Sequence, residues 1–306
     1  MADNLEKAKV YFQSEPTYWK ISQFESEFKE FPTYPLSFKD RLEKNHYANF
    51  DEKGLPRFPS KKGNLVYFCT GLCSFGMAHW EMYQITGNKE HAQKLVNVAD
   101  KLMSMAVEQG KVLMIYDYED DQGTNPLPCA MNNGEAISVL IRAYAYRGDN
   151  SYMEAAIKLG KSFLNNYALN GVSGWIKQEQ IWFLEAGKYI LNGHIYALFG
   201  LMDLAKYNDE EWLKSLVDSG TDSIVSNLDR FDTGNWSYYW VDEPKYIASA
   251  MYHNLHICQL EILHKYTANM KFLDFSNRFR KYAKVPSNRL RAGIQLVTGK
   301  LKNKFG

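Results

Sequence analysis

The sequence predicts an all-α protein, an α/α toroid built as an incomplete barrel from about four helical hairpins, with an irregular N-terminal arm. Three observations carry the prediction. A helix–turn–helix pattern recurs, with breaks at residues 87, 148, 208 and 269, about 60 residues apart. The two helices of each pair differ in composition, and long connections separate one pair from the next. The bulk properties allow this: 306 residues, 45% hydrophobic and 23% charged, is an ordinary globular mix with room for one large domain or two smaller ones.

Taken in order, residues 1–62 read as an arm wrapped around the body. Pro16, Pro32, Pro35, Pro56 and Pro59 interrupt it, and only Ile21–Glu30 has helical spacing. The body, 63–285, then repeats itself. The run from Gly76 to Ile85 is apolar at helical spacing, breaks at Gly87-Asn88 and resumes from His91 to Met105. Ala136–Tyr144 breaks at Gly148-Asp149 and resumes from Tyr152 to Leu164; Asn192–Leu201 breaks at Asn208-Asp209 and resumes from Trp212 to Leu228. Tyr252–Leu260 breaks near Asn269 and resumes from Phe272 to Tyr282. Gly and Asn are the residues a helix C-terminus favours. First helices are rich in small and aromatic residues, while second helices carry charge (Lys89, Glu90, Lys94, Asp100 and Lys101 in the first pair), which places first helices inside. Residues 286–306 form a basic tail. Arg289, Arg291, Lys300, Lys302 and Lys304 surround an apolar centre there, which reads foremost as a solvated helix and secondarily as a peripheral contact for an anionic membrane.

Several function classes lose support. A net charge of +1 and a pI near 7.6 give no long-range field to draw nucleic acid. The N-terminal residues lack the apolar core of a secretory signal, and no apolar stretch reaches membrane-span length. Cys69, Cys73, Cys129 and Cys258 show no disulfide framework, so reduced thiols and a cytoplasmic location are expected; Cys69 and Cys73, one turn apart, are a weak signal for pairing or metal. There is no G-x-G-x-x-G, P-loop or G-x-S-x-G motif.

The chemistry should sit on the long linkers, 110–128, 168–189 and 229–248. Each interleaves aromatic rings with carboxylates and amides: Tyr116–Asn125, Trp175–Tyr189 and Phe231–Trp240. Rings stack on the C–H faces of sugars while polar groups orient hydroxyls, so the linkers point to a carbohydrate. With 21 Tyr in the chain, phenols are candidates for packing, for sugar contact and for proton transfer alike. His253 and His256 sit at i, i+3, but without an acidic partner at ligand spacing no metal is expected.

The segments Phe75–Trp80, Cys129–Tyr144, Ile190–Leu204, Arg230–Tyr239 and Tyr252–Leu260 resemble, in order and separation, the C-terminal catalytic region of D-glucuronyl C5-epimerases. The resemblance covers residues 65–285. It implies an α/α barrel in a compact, microbial-type member without the N-terminal β domains of animal members. It implies cofactor-independent removal of the C5 proton of glucuronic acid and its return on the opposite face. Glu185, Tyr239 and Tyr252 match the family's acid/base or carboxylate-positioning residues. Asn192, His253 and His256 are implied substrate-positioning groups, and Asn133, Glu135, Tyr189, His194, Asp232 and Trp236 complete the expected substrate-binding set. The sequence departs from the family at Ala186, where tyrosine is common, at Asn133-Gly134-Glu135 in place of Gln-Gly-Gln, and at Ser74 in place of Gln. Tyr189 could fill the space left at Ala186.

The expected partners are a uronic-acid-containing glycan and a second copy of the chain in a homodimer. Two alternatives stand beside the epimerase. A hydrolase would use Glu135 with Glu185 or Asp232, or a lyase would use a tyrosine base. A non-catalytic glycan-binding relative would use none of them.

Overall fold

The computed structural model describes residues 19–22, 32–44, 46–118, 123–177 and 179–305, with side chains through Thr298. Lys20–Ile21 is extended, and the remainder of the helix expected over Ile21–Glu30 lies outside the described residues, as do Glu119–Gln122 of the first linker. Among the described residues the chain is mostly helical: α1 (Cys69–Thr86), α2 (Lys89–Met105), α3 (Ala130–Arg147), α4 (Asn150–Lys161), α5 (Leu191–Ala205), α6 (Glu211–Asn227), α7 (Ala250–Thr267), α8 (Met270–Lys284) and α9 (Pro286–Phe305). None is long and apolar enough to cross a membrane.

The hairpin turns follow one local recipe. Gly87 and Gly148 close α1 and α3 in the left-handed region, at φ 68° and 70°, and Ala268 does so after α7 at 56°. The residue directly after each is an Asn or Asp that caps the following helix. Asn88, Asp149 and Asn269 accept from the backbone N–H groups of Glu90, Ser151 and Lys271, and Asn208 accepts from Glu210 ahead of α6. First helices are buried on nearly every face, as in Ala130–Ala143 of α3. Second helices bury one stripe, Ala92, Leu95, Val96, Ala99 and Leu102 in α2 or Phe272, Phe275, Phe279 and Ala283 in α8. Each such phenylalanine contributes about 1.5–3 kcal/mol by leaving water.

The chain forms two compact units. The larger comprises residues 22–187 and 193–221. Within it α3 and α5 touch backbone to backbone: a Cβ on Gly134 would strike Tyr196 and Ala197, and Gly200 lies against the Gly134 carbonyl. Behind that crossing Arg142 of α3 pairs with Asp203 of α5 at 2.7 Å, and Ser138 donates to the same carboxylate at 2.8 Å. Burial alone would raise the Asp203 carboxyl, but Arg142 and Lys206 outweigh it and hold it below its ordinary range. The smaller unit comprises residues 188–192 and 222–306 with Trp19–Ile21. Its core is the α7/α8 hairpin, with α9 following. The linkers are not plain loops: Ser173–Lys177 pairs antiparallel with Gln180–Phe183, and Tyr238–Trp240 with Tyr246–Ile247.

Candidate functional site

The expected site residues fall into two groups, one in each unit. In the smaller unit, Asp232-Thr-Gly-Asn builds a tight turn. Asp232 Oδ1 accepts from Gly234 N–H at 2.7 Å, Thr233 Oγ1 accepts from Trp236 N–H at 2.8 Å, and Gly234 takes φ +84°. Asp232 Oδ2 also meets Arg278 at 3.1 Å, so this carboxylate serves the turn and an ion pair. The strand leaving the turn carries Tyr239. Tyr252 stands in the first turn of α7, where the Ser249 cap accepts from its N–H at 3.3 Å. The two rings are 4.4 Å apart, centroid to centroid, and tilted by 44°. Both are half-buried, and beside them Trp240 stacks on Tyr246 at 4.4 Å, also half-buried. The result is a partly open aromatic surface bearing two phenols next to a helix N-terminus, an end whose dipole favours negative charge.

Tyr189 belongs to a short segment zipped onto the same strand. Val241 N–H donates to the Tyr189 carbonyl at 3.3 Å, Ile190 bridges Trp240, and Tyr189 N–H donates to Asp242 at 2.9 Å. Burial and then Asp242 push its phenol up. Asn192 is buried and gives its carbonyl to Gln259 Nε2 at 3.2 Å; its Oδ1 has no hydrogen-bond partner among the described residues.

Trp236, expected to line the sugar, is 1% exposed. It lies flat on His253 at 3.7 Å and donates from Nε1 to the Ala248 carbonyl at 2.9 Å, which makes it a packing residue. His253 and His256 are also buried and share the Ser237 hydroxyl, at 2.7 and 2.9 Å.

In the larger unit, Glu185 is laid alongside the residues that precede α3. It bridges Cys129, while Leu184 accepts from Ala130 N–H and Ala186 donates to Pro128. Its Oε2 lies against Gly193, where a Cβ would oblige the carboxylate to shift. Ala186 sits at φ 48° and Gly187 at 76°, a sharp corner in which the alanine is strained. Glu135 stands in the second turn of α3. Burial first pushes its carboxyl up to about 8; Arg41 opposes this and Glu185 adds to it. The two carboxyls therefore act on one another within this unit.

Two other expected ligands of substrate are tied up inside the protein. Asn133 accepts from Ile115 N–H at 2.9 Å and donates to Ser162 at 2.8 Å. His194 accepts from Phe183 N–H at Nδ1, 2.9 Å, and its Nε2 faces the Gly220 carbonyl at 3.1 Å, with the ring stacked on Phe183. Neither ring nitrogen is left for a ligand, and burial lowers its pKa to about 3. Ser237 and Gln259 lie inside the segments that carry the resemblance but are given no role by it, and Arg41 lies in the arm, so all three escape a sequence reading. The usable signal for Ser237 was two histidines at i, i+3 that need a shared partner.

The hairpin series is that of the α/α toroids. Solved structures of similar fold include a cellobiose 2-epimerase from Bacillus thermoamylovorans, with TM-score 0.55 at 14% identity, covering 80% of this chain and 68% of that one. A D-mannose isomerase gives 0.52 at 14%, covering 80% and 72%. A GH76 α-mannanase from Bacteroides thetaiotaomicron gives 0.53 at 12%, covering 79% and 64%. At such identities the likeness establishes the fold alone.

Within that class, the family model described as D-glucuronyl C5-epimerase C-terminus matches residues 106–281, more than half of the sequence, and the chain belongs to that family. The D-glucuronyl C5-epimerase of Caenorhabditis elegans is 34% identical over 126 residues, covering 36% of this chain and 20% of the worm protein. The chain thus matches only a fifth of that relative's length. An uncharacterized protein of Methanocaldococcus jannaschii is 24% identical over 198 residues, covering 61% of this chain and 64% of its own.

Proposed function

We propose that this chain is a uronyl C5-epimerase acting on glucuronic acid residues of a polysaccharide or oligosaccharide. The C5–H bond breaks on one face of the ring, its electron pair spreads into the adjacent carboxyl group, and a proton is delivered to C5 from the other face. Tyr239 and Tyr252 carry the two proton transfers. The observation that carries this reading is the Tyr239–Tyr252 pair, two half-buried phenols with ring centroids 4.4 Å apart, at positions that the sequence resemblance implies for acid/base tyrosines. Trp240 and Tyr246 offer the flat faces on which a pyranose stacks.

The test is exchange in deuterated buffer over a panel of uronic-acid polymers and oligosaccharides, read by NMR. Deuterium should enter C5, and Tyr239→Phe and Tyr252→Phe should each slow entry by about 100-fold or more. A panel that shows no exchange, or exchange indifferent to both substitutions, would overturn the proposal. A second reading, a glycan-cleaving enzyme, draws on the mutual influence of Glu135 and Glu185. It predicts new reducing ends or an unsaturated uronide in the same incubations.

A further inference from the structure

In the smaller unit one hydroxyl joins the strand of Tyr239 to the helix of Tyr252. Ser237 lies two residues before Tyr239, immediately ahead of the strand Tyr238–Trp240. His253 directly follows Tyr252, and His256 stands one helical turn beyond it. Ser237 Oγ is 2.7 Å from His253 Nδ1 and 2.9 Å from His256 Nδ1. A hydroxyl has one proton, so it donates to one ring and accepts from the other.

The far side of His253 decides which. Its Nε2 is 3.0 Å from the carbonyl oxygen of Phe279, and a carbonyl only accepts, so Nε2 carries the proton. In a neutral ring Nδ1 is then bare and accepts from Ser237. The Ser237 oxygen in turn accepts from Nδ1–H of His256, whose Nε2 is left bare, with no hydrogen-bond partner among the described residues. Both rings are neutral for a physical reason: burial drives His253 down to about 3, and burial together with His253 drives His256 well below its ordinary value. Trp236, lying flat on His253 at 3.7 Å, keeps that ring in plane.

We propose that Ser237 is a positioning residue: its single hydroxyl passes the tautomer that the Phe279 carbonyl sets on His253 to His256, and by joining both rings to its own strand it holds Tyr239 against Tyr252. The segment leading into the helix is also tied here, by Ala248 N–H to the Ser237 carbonyl at 2.9 Å, but that bond acts through the backbone and leaves the side-chain register free. The relay accounts for a serine among aromatic residues in Trp-Ser-Tyr-Tyr, and for the pair of histidines at i, i+3.

The consequence for catalysis rests on the reading of Tyr239 and Tyr252 given above, so the test includes measurements that need no uronate. In protein labelled with 15N at histidine, the wild type should show the Nε2–H form for His253 and the Nδ1–H form for His256. Ser237→Ala should change at least one of them and weaken the nuclear Overhauser contacts between the Tyr239 and Tyr252 rings, while circular dichroism stays that of a folded chain. In the exchange assay Ser237→Ala should lower kcat by about 10- to 100-fold with KM little changed, since misplacing a proton carrier by about 1 Å costs this much. Wild-type tautomers other than these, or unchanged contacts between the two rings in Ser237→Ala, overturn the proposal. So does altered ring contact with unchanged kcat. If wild type exchanges no uronate hydrogen, the epimerase reading falls and the relay is judged by the tautomers and ring contacts.

Discussion

Glu135 is a carboxyl with no favourable place for a negative charge. It is 6% exposed, its Oε2 has no partner among the described residues, and burial outweighs the attraction of Arg41, against which Glu185 adds a smaller repulsion. Cys69 and Cys73 of α1 and the Tyr34 phenol share its surroundings, and all are pushed up, Cys69 first by its contact with Cys73 and then by burial, the other two first by burial, with Glu135 adding to each. The sign of the resulting pH dependence follows from linkage. The carboxyl is raised from 4.5 to about 8 on folding, so the native state binds the proton more tightly. Its stabilising contribution is fully present below pH 4.5 and is lost as pH rises through 8, on the order of 3–5 kcal/mol in all. Glu135→Gln keeps the shape without the titration. It should match wild type near pH 4 and be the more stable protein by a few kcal/mol at pH 9, as read by urea unfolding across pH. Parallel pH curves for the two proteins would refute the assignment. Much of this was legible: the Asn-Gly-Glu departure marked an extra carboxylate from sequence alone. What the sequence could not show was Arg41, brought from the arm, or that Asn133, His194 and Trp236 turn inward. A motif gives a residue's place along the chain, whereas its side chain's partners come from packing of distant segments.

The helical hairpins were the most legible elements because their signals are local. Gly87-Asn88 and Gly148-Asp149 stop one helix and cap the next by backbone chemistry that needs no distant contact. The antiparallel pairs at Ser173–Phe183 and Tyr238–Ile247 were less visible, since strands this short lack a readable period. Two glycines that look alike in sequence should behave differently. Gly87 has φ +68° and open space where a Cβ would go, so Gly87→Ala meets only the left-handed penalty, about 1 kcal/mol. Gly134 is helical, but a Cβ there would drive into the backbone of α5 at Tyr196 and Ala197, which cannot swing aside. Gly134→Ala should therefore cost about 3 kcal/mol or more. It should also disturb the neighbouring Glu135, lowering that carboxyl's apparent pKa as water enters. Denaturant midpoints of the two variants decide the matter. Equal losses would mean that α3 and α5 do not meet as closely as Gly134 and Gly200 indicate.

At the scale of the whole molecule, charge balance sets what kind of glycan encounter is expected. Lys and Arg number 36 against 35 Asp and Glu, so the net charge is +1 and no global field gathers a polyanion from a distance. A uronate polymer carries a charge on every acidic sugar, and an enzyme that recruited it by long-range attraction would weaken steeply as salt rises. Here recognition should instead depend on short-range contacts: ring faces such as Trp240 and Tyr246, and hydrogen bonds at the reacting sugar. The local exception is the tail, where residues 286–306 carry five basic and no acidic residues. On α9, Leu290, Ile294 and Val297 are more than half exposed, so this stretch is open to solvent. If the tail stays solvated and takes no part in substrate capture, KM for a uronate oligosaccharide should change by less than about threefold between 50 and 200 mM salt. Replacing Lys300, Lys302 and Lys304 with Gln should then leave KM where it was. A KM that climbs tenfold over that salt range, and ceases to do so in the triple variant, would show that the tail recruits the glycan and that a balanced total charge conceals a working basic patch.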